Sequence, residues 1–170
     1  MARISVAKVL SLDELLTLRA AWAAAGKRVV WTNGCFDILH VGHVRSFQEA
    51  RELGDVLVVG LNSDASVRGI KGELRPVVCE DDRAEMVAAL EAVDCVTIFG
   101  ESEPSAILSK VRPDIHCKGE DYADGRRPVP ERAIVEGYGG EIRFLPLHQG
   151  RSTSGLIERI CAAYGPNSTE

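Results

Sequence analysis

Short apolar runs alternate with amphipathic stretches along this chain. Val29-Val30-Trp31-Thr32, Val56-Leu57-Val58-Val59, Val96-Thr97-Ile98-Phe99, Ile115-His116-Cys117 and Ile142-Arg143-Phe144-Leu145 are runs of strand length rich in β-branched and aromatic residues. The second is apolar throughout, as expected of a strand covered on both faces. Asn33-Gly34 is expected to break the first strand. The opening helix is signed by a capping-box pair, Ser11 and Glu14, by Leu10 and Leu15 at staple spacing, and by Gly26 as its stop. Its Leu12, Leu15, Leu16 and Trp22 are expected on the core. A second helix is predicted over 41–53, with Val44, Phe47 and Ala50 on one face and Gly54 at its end. Further helices are predicted over 64–68, from Asp81-Asp82 to about 91, over 104–110, over 131–136 and over 154–163. Residues 69–76 and 119–130 read as loops. The first carries Lys71 and Arg75 next to Arg68, and the second carries Arg126 and Arg127.

This alternation predicts an α/β fold: a Rossmann-like single domain with a five-stranded parallel sheet, helices on both faces and right-handed crossovers. Residues 1–27 are expected to form a helical extension packed on a domain spanning 28–164, followed by a disordered tail over 165–170. In such sheets ligands bind beyond the carboxyl ends of the strands, so chemistry is sought in the loops that follow them.

Composition narrows the function classes. The chain has 170 residues, 45% of them hydrophobic, and a net charge of −5. No cluster of Lys and Arg is dense enough for a nucleic-acid surface. The five cysteines, Cys35, Cys79, Cys95, Cys117 and Cys161, are odd in number, and no two stand at C-x-x-C spacing. That argues against a disulfide framework or zinc knuckle and for reduced thiols in the cytoplasm. Cys35 suits a tight loop, and the other four are expected in or near the core. The segment MARISVAKVL lacks a signal-peptide core, and no apolar run is long enough to span a membrane.

The richest segment follows the first strand: Thr32-Asn33-Gly34-Cys35-Phe36-Asp37, then His40-Val41-Gly42-His43. Two imidazoles bracket a glycine at a helix start. Backbone N–H groups and the helix dipole favour an anion there, and Gly42 lets a phosphate approach the backbone. Asp37 would either orient a substrate hydroxyl or phosphate network, or cap its own loop by accepting backbone N–H bonds. His40 and His43 with Asp37 or Cys35 also allow a zinc set, but no further Cys or His group stands nearby to complete it. Near the C-terminus, Gly150-Arg151-Ser152-Thr153-Ser154 offers hydroxyls at a helix start. Arg83 stands in an early helical turn, where a cation is disfavoured by the dipole, and so suits anion binding.

These strings resemble the cytidylyltransferase-like nucleotidyltransferases over about residues 28–162. Val59-Gly60-Leu61-Asn62-Ser63-Asp64, Lys71-Gly72, Arg75-Pro76-Val77, Asp82-Arg83 and Lys118-Gly119-Glu120-Asp121-Tyr122 are similar to the family's D-glycero-β-D-manno-heptose 1-phosphate adenylyltransferase branch. The resemblance implies transfer of AMP from ATP to the sugar 1-phosphate, giving ADP-heptose for lipopolysaccharide or related glycans. It implies Mg²⁺ carried with ATP and no metal held by protein side chains. It assigns His40, His43, Lys71 and Asp37 to catalysis. ATP falls to Asn33, Gly34, Cys35, Phe36, Gly42, Arg83, Lys118, Gly119, Ser152, Thr153 and Ser154. The acceptor falls to Thr32, Asp37, Asn62, Asp64, Lys71 and Arg75. A homodimer and a separate heptose kinase are the expected partners. Cytidylyl transfer to glycerol 3-phosphate or another small alcohol phosphate is the alternative. It is weakened because Leu147 stands where that branch has an Arg, although Arg151 is placed to supply the charge. A non-catalytic nucleotide-binding regulatory module is the alternative of another class, and a zinc-dependent hydrolase ranks behind both.

Overall fold

The computed structural model describes residues 5–125, 128–148 and 150–165. Five strands, β1 (Val29–Gly34), β2 (Val56–Asn62), β3 (Cys95–Phe99), β4 (Ile115–Gly119) and β5 (Glu141–Leu145), form one all-parallel sheet in the order β3-β2-β1-β4-β5. Helix α1 (Leu12–Ala24) precedes the sheet and α7 (Thr153–Tyr164) follows it. Helices α2 (Val41–Arg51), α3 (Asp64–Lys71), α4 (Glu80–Ala88), α5 (Ser105–Val111) and α6 (Arg132–Gly137) lie in the crossovers.

Strand alternation sorts the apolar residues into two layers. Val30, Leu57, Val59, Ile115 and Cys117 face one way and pack with Phe47 and Ala50 of α2 and Ala84, Val87 and Ala88 of α4. Val29, Trp31, Val56 and Val58 face the other way, against Leu15 of α1, Ile107 and Leu108 of α5 and Val135 of α6. Each large buried side chain contributes about 1.5–3 kcal/mol, so the two layers fix the sheet between helices. Both covered faces were legible as continuous apolar runs.

Helix α1 begins as its sequence requires. Ser11 Oγ accepts from Glu14 N at 3.3 Å, and Glu14 Oε2 accepts from Ser11 N at 2.8 Å. Gly26, at φ +68°, follows its end. Leu10, Leu12, Leu16 and Trp22 pack on the second layer. Just upstream, the backbone runs along the outer edge of β3. Leu10 N donates to Val96 O at 2.8 Å, Val9 pairs with Val96, and Lys8 Nζ donates to Val93 O at 2.7 Å.

Several expectations are corrected. Asn33-Gly34 does not break β1, because these residues pair with Gly60 and Leu61 of β2. Gly60 is required there: the Trp31 ring occupies the space of any Cβ. Helix α3 continues through Gly69, Ile70 and Lys71, and Gly72 at φ +96° follows it. Helix α4 stops at Ala88, short of position 91. Within the 119–130 segment, Glu120–Tyr122 forms a 3-10 turn. Cys95 and Cys117 are buried as expected, but Cys79 and Cys161 are exposed, one just before α4 and one on α7. Arg126, Arg127 and the tail over 166–170 lie outside the described residues. No described helix is long and apolar enough to cross a membrane.

Candidate active site

The order reversal between β1 and β4 opens a crevice beyond their carboxyl ends. A cleft of about 870 Å³ lies there. Thr32, Asn33 and Gly34 supply its floor at the end of β1, with Cys117, Lys118 and Gly119 from β4 beside them. His40, Gly42 and His43 come from the start of α2, and Arg151 through Ser154 from the start of α7. Lys71 and Arg75 reach in from the end of α3 and the loop after it. Cys35, Phe36, Asp37 and Asn62 complete the sequence-derived residues that line it.

Two segments far apart in the chain meet tightly here. Thr153 Oγ1 donates to Ile38 O at 3.1 Å. A Cβ added at Gly42 would stand 2.9 Å from His40 Nδ1 and 3.2 Å from Arg151 Cβ. Ser152 caps α7 by accepting from Gly155 N at 3.1 Å, and His40 Nδ1 caps α2 by accepting from His43 N at 3.4 Å. Two helix N-termini, each favouring an anion, therefore open on one cleft. The imidazoles of His40 and His43 stack at 3.8 Å between centroids. Burial and the neighbouring His40 push His43 down to about 4. Burial likewise lowers His40, helped by Arg151 and His148. Both rings are thus held toward the neutral form near pH 7, in which an imidazole has one N–H to donate without adding charge.

The β1–α2 loop is held by its own packing. Phe36, at φ +43°, turns its ring toward Gly34, His43 and Phe47. Asp37 is almost fully buried and accepts from Val77 N at 2.9 Å, Val78 N at 2.9 Å and Arg75 Nε at 2.5 Å. Burial opposes its charge, but these bonds and Arg75 overcome that and hold the carboxyl below its usual range. Of its two expected roles, the contacts match loop capping. The carboxylate fastens the Arg75 loop to the histidine loop. Thr32 Oγ1 donates to Cys117 O at 3.3 Å, and Asn33 Oδ1 accepts from Trp31 Nε1 at 3.3 Å. Asn62 Nδ2 donates to Ser66 Oγ and Glu101 O, so this amide is tied to the wall.

Two expected site residues lie elsewhere. Arg83 is wholly buried and does not line the cleft. Its guanidinium donates to Cys35 O at 2.5 Å, to Val78 O at 2.9 Å and to Asp64 Oδ1 at 2.7 Å. Its charge is met by protein oxygens, which corrects its assignment to ATP. Asp64, expected on the acceptor, is spent on the same pair.

Other lining residues escaped the sequence reading. Glu131 lies under Lys118, whose Nζ it accepts at 2.6 Å, and Tyr122 sits 4.3 Å from that ammonium. A carboxylate opening a short helix reads as an ordinary dipole partner, so nothing local marked Glu131. His148 lines the cleft and faces Glu49 of α2 at 3.5 Å. Ser46 lies one turn beyond His43, a spacing that could have revealed it. Arg151 and Leu147, both already weighed from the sequence, line the cleft as well. Among the described residues no group of three or more His, Cys, Asp or Glu comes together as a metal site.

Comparison with known proteins agrees with this geometry. The cytidylyltransferase-like family model matches residues 31–140. The bifunctional protein HldE of Geobacter sulfurreducens is 51% identical over 160 residues, 94% of this chain and 32% of that protein. HldE of Methylobacillus flagellatus is 45% identical over 155 residues, 91% of this chain and 31% of that protein. This chain therefore spans about a third of the length of the curated relatives it matches. The crystal structure of a lipopolysaccharide core biosynthesis protein from Thermoplasma volcanium superposes with TM-score 0.59 at 28% identity, covering 72% of this chain and 98% of that one. Pantoate-beta-alanine ligase from Francisella tularensis shares the fold at TM-score 0.59 and 13% identity, over 86% of this chain and 68% of that one. With the family model matching residues 31–140, well over half of its length, the chain belongs to the cytidylyltransferase-like nucleotidyltransferases.

Proposed function

We propose that this chain transfers AMP from ATP to D-glycero-β-D-manno-heptose 1-phosphate, giving ADP-heptose and pyrophosphate. One observation carries the nucleotidyl-transfer chemistry: the imidazole pair on α2 and the hydroxyls opening α7 converge on a single cleft. The heptose rests on the resemblance of several loops and on the names of the relatives: HldE proteins and a lipopolysaccharide core biosynthesis protein.

In this reading the triphosphate lies across the two helix N-termini, with His40, His43, Ser152 and Thr153 donating to phosphoryl oxygens. An oxygen of the sugar phosphate attacks the α-phosphorus in line. The bond from that phosphorus to the oxygen bridging to the β-phosphate breaks, and pyrophosphate leaves with the electron pair. The nucleophile is already ionised at neutral pH, so no protein base is needed, and catalysis consists of positioning and charge stabilisation. Lys71 and Arg75, which line the same cleft as the histidines, receive the acceptor phosphate. Asp37 positions Arg75 by accepting from its guanidinium. A divalent ion such as Mg²⁺, bound with ATP, would supply charge neutralisation at the reacting phosphates. Two of the carboxylates lining the cleft, Asp37 and Glu131, already serve Arg75 and Lys118, and Glu103 and Asp121 line it as well. A sugar kinase acting at the anomeric position would supply the acceptor, and use of ATP places the reaction in the cytoplasm.

The test is a pyrophosphate-release screen pairing ATP and CTP with heptose 1-phosphate and glycerol 3-phosphate. Release with ATP and heptose 1-phosphate alone is the expected result. Release only with CTP and an alcohol phosphate would replace this reading with the cytidylyl one. ATP binding without turnover of any acceptor would favour a regulatory module.

A further inference from the structure

Lys118 is held more firmly than a cleft lysine needs to be for solubility or packing. On β4, His116 and Lys118 share a face, because side chains two apart along a strand point the same way. Both reach one oxygen, Glu131 Oε1: His116 Nε2 at 3.1 Å and Lys118 Nζ at 2.6 Å. Glu131 and His116 are each 0% exposed. A carboxylate in such a place persists only when charge and hydrogen bonds compensate its lost hydration. Burial pushes Glu131 up, but the bonds from His116 and Lys118 outweigh it and hold the carboxyl down to about 2. Burial also lowers His116, more than its bond to Glu131 raises it. A neutral imidazole facing a carboxylate donates from Nε2. The buried node therefore holds one negative charge and one positive charge, with the histidine as a neutral brace.

The ammonium has three hydrogens to give. One is taken by Glu131, and the Tyr122 ring lies 4.3 Å from Nζ. The Lys118 side chain keeps 14% of its exposure, at the wall of the cleft. We propose that Glu131 is a positioning residue that, braced by His116, fixes Lys118 beside Tyr122 so that a free N–H of the ammonium meets a phosphate oxygen of the nucleotide. This rests on the nucleotidyl transfer proposed above for the same cleft. A loose lysine would have to surrender its rotamer freedom when the nucleotide arrives, whereas here the ordering precedes binding.

The experiment is a double-variant cycle on the full chain, read as ATP affinity by calorimetry. Lys118→Met and Glu131→Gln are each expected to weaken ATP binding by up to about tenfold, the cost of ordering a long side chain on binding. The double variant is expected to bind no more weakly than Lys118→Met alone, since Glu131 acts only through the lysine. Additive losses, or unchanged affinity in a folded Glu131→Gln, overturn the inference. Should Glu131→Gln fail to fold, the unsubstituted chain decides by acetic anhydride labelling read by mass spectrometry. Lys118 should react more slowly than exposed Lys27, and equal rates would sink the clamp. Failure of the proposed function shows differently: the unsubstituted chain would release no pyrophosphate with any acceptor, whatever the affinities of the variants.

Discussion

Replacing Gly42 by alanine separates the stability of this protein from its activity. Gly42 lies in the first turn of α2, is buried, and has no positive φ, so alanine meets no backbone strain. On helix propensity alone the substitution gains about 1 kcal/mol. The added methyl, however, would stand 2.9 Å from His40 Nδ1, 3.0 Å from His40 Cε1 and 3.2 Å from Arg151 Cβ. The first is closer than carbon and nitrogen tolerate, and the ring must give way. Overpacking of this kind costs about 1–3 kcal/mol, so the two contributions largely offset and net stability falls by no more than about 2 kcal/mol. Activity has no such compensation. His40 moves off its stack on His43, the α7 start is pushed from the α2 start, and the backbone is screened from an approaching phosphate. A displacement near 1 Å costs up to about a hundredfold in rate. Pyrophosphate release at limiting ATP, with thermal unfolding of the same samples, measures both quantities. A Gly42→Ala protein with kcat/KM within twofold of the parent would refute the claim that phosphate lies against this turn.

Three further outcomes follow from the buried charges. Asp37→Asn should raise KM for the acceptor more than KM for ATP, at about 1.5–3 kcal/mol for the bonds lost to charged groups. Equal effects on both substrates would mean that the Arg75 loop is not on the acceptor side. Arg83→Met should destabilise the fold by about 3 kcal/mol or more in urea titration, because Asp64 loses its partner and two carbonyls lose their donor. A full loss of ATP binding at unchanged stability would return Arg83 to the nucleotide. Acid should also weaken the fold, since the histidines His40, His43 and His116 are all held below their ordinary values, His43 at about 4. A histidine lowered in the folded state contributes stability that is present above about 6.5 and is lost as pH falls toward its folded value. For His43 the loss is up to about 1.4 kcal/mol per unit between 6.5 and 4. A urea midpoint unchanged between pH 7 and pH 5 would contradict that burial.

The fold was legible because both sheet faces are covered. Val56 to Val59 and Val29 to Trp31 are continuous apolar runs that only a central parallel strand explains, and the capping box of α1 marks its start to the residue. Strand ends were less legible because pairing sets them. Nothing local in Asn33-Gly34 announces Gly60 and Leu61 as partners, and turn propensity pointed the other way. The cleft was found from a glycine, two imidazoles and a run of hydroxyls, which sit next to strand ends and helix starts. Arg83 was misplaced for a physical reason. A cation in the first turn of a helix must find oxygen somewhere, and its local sequence cannot distinguish a ligand's oxygens from those of Cys35 and Asp64. The same blindness hid Glu131, whose partners lie 13 and 15 residues away and meet it only across β4 and α6.

The short pairing of Val9 with Val96, backed by Lys8 on Val93 O, covers the margin of β3 at Val96. Open sheet margins recruit foreign strands, and this one is covered in part by a piece of its own polypeptide. Trimming residues ahead of α1 would remove no part of the cleft, yet it would bare the backbone of β3 at Val96. The hazard in such a shortened protein is fibrous self-association rather than lost chemistry.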